Sequence, residues 1–226
     1  MKCRIVLVES RLPLRNGLLL LLNAMPSVEC LATFPNAASA LAALPQVQPD
    51  VVITALDLPD IVGSSDATAY LRRLSPEGAP ILILTNAESD ELLTRCIESG
   101  AMGYVPKGAP PSLLQEIILN LASARADISA PSAHLLLDRL AHLPRKYAAT
   151  FSVVHQADIR LLDLFAHGYT NKDIAEQLTL APNDLQTRTF RLLRHIQKLY
   201  WEMQKEVQKE LHSRVIDLPL RMEEAA

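Results

Sequence analysis

The sequence predicts an α/β doubly wound domain with a five-stranded parallel sheet, followed by an all-α helix-turn-helix domain with an extended C-terminal helix. Three observations carry this. The run Val51-Val-Ile-Thr-Ala55, between Pro49-Asp50 and the acid-rich turn Asp57-Leu-Pro-Asp60, is apolar without alternation, as in a strand covered on both faces. Strand and helix patterns alternate around it up to about Ala122. From Val154 onward only helical spacing remains.

The elements follow in order. Arg4 to Val8 is a strand ending in the polar pair Glu9-Ser10, and Leu12 to Ala24 has helical leucine spacing with Pro13 in its first turn. Val28 to Phe34 is a second strand, after which Asn36 can cap an Ala/Leu-rich helix to about Leu44. Val51 to Ala55 is the third strand, followed by a loop through Pro59, Gly63 and Ser65 and a helix over about Asp66 to Leu74. Ile81 to Thr85 is a fourth strand, and Glu88 to Ser99 a helix stopped by Gly100. Met102 to Val105 is the last strand, with Lys107 behind it and a helix from Pro111 to about Ala124. The expected strand order is 2-1-3-4-5, and ligands in such sheets sit beyond the carboxyl ends of the strands. Residues Ala55 to Pro59 are therefore where a site belongs.

Residues 125–150 read as a linker carrying one short helix around Ala133 to Leu143. Ala157 to His167 is an amphipathic helix that stops at Gly168. Thr170-Asn-Lys-Asp173 has the spacing of a capping box for a helix over Asn171 to Leu178, and Leu180-Ala-Pro-Asn leads into a third helix. The predicted domains are 1–124, the linker 125–150, and 151–226.

Composition narrows the function. A formal charge of -3 excludes a surface coated with cations, so any nucleic-acid contact must come from a local basic patch. The three cysteines, Cys3, Cys30 and Cys96, lack metal-ligand spacing and read as reduced core residues. No metal site, cofactor or membrane span is expected, and with no secretory signal the expected location is the cytoplasm.

The strings Ile-Val-Leu-Val-Glu-Ser, Pro-Asp-Val-Val, Leu-Pro-Asp, Ile-Leu-Thr and Gly-Tyr-Val-Pro-Lys, spread over residues 5–107, resemble the receiver domain of bacterial response regulators, a flavodoxin-like fold. Gly168-Tyr-Thr-Asn-Lys-Asp-Ile-Ala-Glu-Gln-Leu178 resembles a LuxR-type output domain. Together they resemble the NarL/FixJ class of response regulators. The resemblance implies phosphoryl transfer to an aspartate at the end of the third strand, beside acids that hold Mg2+ and a hydroxyl and lysine that read the phosphoryl group.

Here the phosphoacceptor position falls on Ala55, which cannot accept a phosphoryl group. The acidic pair falls on Glu9 and Ser10, leaving Glu9 and Asp57 as carboxylates, while Thr85 and Lys107 match the switch hydroxyl and the lysine. This is the pattern of a pseudo-receiver. A rival reading makes Asp57 the acceptor, although strand-end geometry places it in the loop, pointing elsewhere. Lys107 either keeps a switching role or pairs with Glu9 or Asp57 to neutralise the pocket, and Pro106 before it departs from the family pattern. A partner protein or a small-molecule effector at the receiver is an alternative input.

The resemblance implies that the third helix reads double-stranded promoter DNA. The candidate contacts are Thr170, Asn171, Lys172, Gln186, Thr187, Arg188, Arg191, Arg194 and Lys198. Gln186 stands where the family usually has Lys, and Ala181 replaces the usual Ser cap, so part of the phosphate grip is missing. The family also breaks after this helix. This chain has no glycine after Gly168 and no proline between Pro182 and Pro219, and Leu192, Ile196, Leu199, Met203, Val207 and Leu211 form one stripe. A helix from Asn183 to Val215 would be about 50 Å long at 1.5 Å per residue. Its stripe either pairs with a second copy in a homodimer or, after a bend near Tyr200-Trp201, folds back on its own domain. The function expected is a phosphorylation-independent transcriptional regulator, not an enzyme. The competing class is an adapter that binds another regulator or kinase and no longer reads DNA.

Overall fold

The computed structural model describes residues 2–61, 69–71, 73–74, 79–86, 96–142 and 156–216, without the side chains of 156, 157, 201, 204 and 207–216. The predicted helices over 66–74 and 88–99 are seen only in part, with 69–71, 73–74 and 96–99 helical. The expected loop residues Gly63 and Ser65 and the end of the linker lie outside the described residues.

Five strands, β1 (Cys3–Val8), β2 (Val28–Phe34), β3 (Val51–Ala55), β4 (Ile81–Thr85) and β5 (Ala101–Pro106), pair in the order β2-β1-β3-β4-β5, all parallel. This is the predicted doubly wound order. Pleating sends alternate side chains to opposite faces. Ile5, Leu7, Val51 and Ile53 join one apolar cluster with Leu18 and Leu22 of α1 (Leu12–Ala24). Val6, Val8, Val52 and Ala55 join the other with Ala37 and Ala40 of α2 (Ala37–Val47). Ile53 is fully buried, and shortening such a side chain to alanine costs about 2–5 kcal/mol.

Local chemistry sets the helix ends. The Asn36 side chain accepts from Ser39 N at 2.9 Å, as its position predicts. Asp60, from the loop behind β3, accepts from Ala37 N and Ala38 N at 2.9 and 2.8 Å, satisfying two more amides at the start of α2. Helix α3 (Pro111–Ala122) ends in Ala124 at φ 53°, a left-handed position that glycine would fill at lower cost.

Ser129 caps α4 (Ala130–Ala141), the linker helix. Helices α5 (Gln156–Ala166), α6 (Asn171–Leu178) and α7 (Pro182–Ile216) follow. Gly168 at φ 78° turns the chain after α5. The Thr170–Asp173 capping box is present in both directions.

Helix α7 is continuous for 35 residues through Tyr200 and Trp201, as the expected long helix requires, and without the bend offered there as the alternative. The apolar cluster on the α1 side of the sheet extends through Leu136 and Leu140 of α4 into Leu161, Leu185, Leu192 and Ile196. Gln197 of α7 seals the junction, its Nε2 donating to Ala101 O of β5 at 2.8 Å. The two halves thus share one core.

Candidate functional site

Helix, strand and loop ends converge beyond the carboxyl ends of β1, β3 and β5. Ala55 closes β3 and is 1% exposed, its methyl packed into the apolar cluster on the α2 side. Lys107 reaches across the pocket, its Nζ 2.8 Å from Glu9 Oε2 and 2.8 Å from Asp57 Oδ1. Residues 50 positions apart in the chain meet here. Lys107 thus pairs with both carboxylates at once.

Asp57 lies in the loop, as expected, but its carboxylate does not point elsewhere. It turns back into the pocket to Lys107, because a buried ammonium, 6% exposed, is tolerated only when paired. A fourth charge was missed by sequence reasoning. Arg11 sits beside Glu9, its backbone amide donating to Oε1 at 3.0 Å and its Nε at 3.3 Å, and its Nη2 is 3.7 Å from Asp57 Oδ2. The signal available was a cation immediately behind the Glu9-Ser10 pair.

Burial pushes the Glu9 carboxyl up, but the Lys107 ammonium and then Arg11 outweigh it and hold the group below the usual carboxylate range. Burial acts the same way on Asp57, and Lys107 and Arg11 again bring it below its ordinary value. Both are therefore anionic at neutral pH, balanced by two cations. Ser10 completes the closure by donating to Asp57 O at 3.2 Å. Thr85 ends β4, with Lys107 N donating to its carbonyl at 3.1 Å. Among the described residues no group of three His, Cys, Asp or Glu side chains could hold a metal ion.

The predicted nucleic-acid face is distributed differently. Lys172, Arg191 and Lys198 are exposed. Arg188, its side chain 30% exposed, is already paired: its Nε and Nη2 donate to Asp158 Oδ1 at 3.2 and 3.1 Å, joining α7 to α5. Arg194 lies over the Phe190 ring at 5.6 Å, and burial lowers its guanidinium below its ordinary value. Thr170 is engaged in the capping box, and the Thr187 hydroxyl donates to Asn183 O at 2.9 Å.

Asn171 and Gln186 both meet the linker. Asn171 Nδ2 donates to Asp127 Oδ1 at 2.7 Å, and Gln186 Nε2 donates to the same carboxylate at 3.1 and 3.2 Å. Neither Asp127 nor Asp158 carried a sequence signal, since each acts through a residue at least 30 positions away.

The stripe proposed for pairing divides in two. Leu192, Ile196 and Leu199 are 1%, 0% and 4% exposed within the single chain, covered by its own core rather than left for a second copy. They join a cluster that includes Leu161 and Leu162 of α5 and Ile174 of α6. Met203 is half-buried against the same core, and the side chains of Val207 and Leu211 lie outside the described residues.

Comparison with known proteins agrees with this architecture. The sequence model of the response regulator receiver domain matches residues 5–119, slightly more than half of the chain. The chain belongs to the response regulators. This response regulator is 30% identical over 84% of its length to the DNA-binding transcriptional activator DevR/DosR of Mycobacterium tuberculosis, covering 86% of that protein. It is 28% identical over 77% of its length to the oxygen regulatory protein NreC of Staphylococcus haemolyticus, covering 82% of it. Placement in the NarL/FixJ class is consistent with both. The structure of the response regulator RcsB in complex with DNA matches its fold with a TM-score of 0.52 and 18% identity, over 88% of this chain and 98% of that one. No helix among the described residues is long and apolar enough to cross a membrane.

Proposed function

We propose that this response regulator is a DNA-binding transcriptional regulator that works without phosphorylation, with a pseudo-receiver over 1–124, a linker over 125–150 and a helix-turn-helix output over 151–226. The observation that carries DNA binding is the α6–turn–α7 unit, fixed by its capping box and bearing Lys172, Arg191 and Lys198 on its exposed surface. Phosphorylation independence rests on Ala55 at the acceptor position and on a pocket whose two carboxylates are already matched by Lys107 and Arg11. An entering Mg2+ would have to displace those cations. We assign no enzymatic activity, because the relatives named above are regulators.

Pairing of two copies, in this reading, uses the end of α7 beyond Leu199, where Met203, Val207 and Leu211 continue the stripe. Asp127 favours a second reading, in which the output domain docks on protein rather than on DNA. Its carboxylate holds Asn171 and Gln186, two side chains assigned to DNA. Under the primary reading this contact must open before DNA is bound.

The test is fluorescence-anisotropy titration of the unphosphorylated full chain with promoter fragments and with random duplex, at several salt concentrations. Promoter-selective binding that weakens in Arg191→Ala, with a salt slope reduced by about 1, supports the reading. Equal weak binding to all duplexes sinks it in favour of the adapter.

A further inference from the structure

Arg191, His195 and Lys198 form one exposed strip on α7. Spacings of four and then three residues put them on the same side of the helix, and at 1.5 Å per residue the strip is about 10 Å long. Arg194, the cation that the sequence offers at this turn, is drawn over the Phe190 ring instead, and His195 takes the exposed place beside it.

The surroundings of His195 hold no carboxylate for it. A groove between α5 and α7 has His195 and Arg191 in its wall, and its other charged groups are Asp158 from α5 and Asp184 and Arg188 from α7. Asp158 is already taken by Arg188, whose Nη2 lies 3.1 Å from its Oδ1, and its side chain is only 12% exposed. Asp184 stands eleven residues before His195, about 16 Å away along the helix axis. Among the described residues His195 makes no hydrogen bond and no ion pair. His142 and His167 differ, because their Nδ1 atoms lie 2.7 and 2.8 Å from the carbonyl oxygens of Asp138 and Asp163, one turn back. The His195 ring is thus flanked by two cationic residues and open to water.

Such a strip suits a polyanion. Duplex DNA carries one phosphate charge per about 1.7 Å of its axis, so a strip of about 10 Å spans several. Arginine and lysine keep their charge across the neutral range, whereas an imidazole ordinarily titrates near pH 6.5, and a phosphate beside it favours the protonated form. We propose that His195 is a phosphate contact of the DNA-binding face whose charge is gained on binding, so that affinity for duplex rises as pH falls from about 8 to about 6. This rests on the DNA-binding reading and adds to it a contact residue and a response to pH.

The test runs the anisotropy titration of the full chain at about pH 6 and about pH 8, at matched salt, with promoter and random duplex. The native protein should bind about fivefold more tightly at the lower pH, with a salt slope steeper by about 1. The factor should be the same on both duplexes, since a phosphate contact carries no sequence information. His195→Gln should cut the gain to below about twofold, and His195→Lys should hold at the higher pH the affinity that the native protein reaches at the lower one. The side chain is exposed and unbonded, so both variants should keep the native circular dichroism. A gain that is absent, or that persists in His195→Gln, overturns the proposal, while promoter-selective binding that depends on Arg191 leaves the DNA-binding reading standing. Equal weak binding to every duplex removes that reading, and the pH comparison on random duplex then decides His195 by itself. No binding to any duplex overturns both.

Discussion

The acid pocket and the helix-turn-helix face are both closed by carboxylates, but they are closed at different depths. In the pocket, Glu9 is fully buried and the Lys107 side chain is 6% exposed, so their ion pair is shielded from solvent and salt. On the helix-turn-helix face, Asp127 is exposed, and its bonds to Asn171 and Gln186 compete with water. Burial makes the first arrangement a permanent part of the fold. Exposure makes the second a contact that can open at small cost. The same contrast exists within α7, where Arg188 is tied to Asp158 while Arg191, one turn on, stays exposed.

The largest test of that contrast is Lys107→Met. Removing the cation leaves Glu9 buried with only Arg11 beside it, and urea unfolding at pH 7 should show a loss of about 3 kcal/mol. A loss below about 1 kcal/mol would mean that the pocket is open and hydrated rather than sealed. Next is Arg188→Ala, which strands Asp158 and should cost about 2 kcal/mol in the same assay, before any DNA is added. That effect is why Arg191, not Arg188, reports on DNA contact.

Acid titration sharpens the pocket further. Glu9 and Asp57 lie below their ordinary values when folded, so the stability they contribute is complete above the unfolded carboxylate range of roughly pH 4 and lost as pH falls through the lowered folded values. In Lys107→Met the deficit should be greatest near neutrality and shrink as Glu9 takes up a proton, so unfolding curves of the two proteins should approach each other in acid. A deficit that stays constant with pH would assign the loss to packing instead of charge.

Smaller effects remain. Ala124→Gly relieves a left-handed alanine behind α3 and should raise stability by about 1 kcal/mol in urea unfolding. Asp127→Ala should change stability by less than about 0.5 kcal/mol. Its effect belongs in anisotropy, as a several-fold gain in affinity for duplex DNA at low salt. If stability instead falls by kilocalories, the linker contact is structural and the contrast between the two regions fails.

Much of this was legible in the residues themselves. Unbroken apolar runs marked β3 and β4, Asn36 marked the start of α2, and the Thr170–Asp173 spacing located α6 to the residue. Such signals are local, because caps and periodicity act within a few positions of the chain. The position of Ala55 at a strand end was equally plain. Tertiary structure decided what depends on distant partners: that Lys107 bridges Glu9 and Asp57, that Asp127 holds Asn171 and Gln186, and that the shared core covers Leu192, Ile196 and Leu199. A side chain's charge and apolarity are written in the sequence, but which surface removes it from water is set only when remote segments pack together.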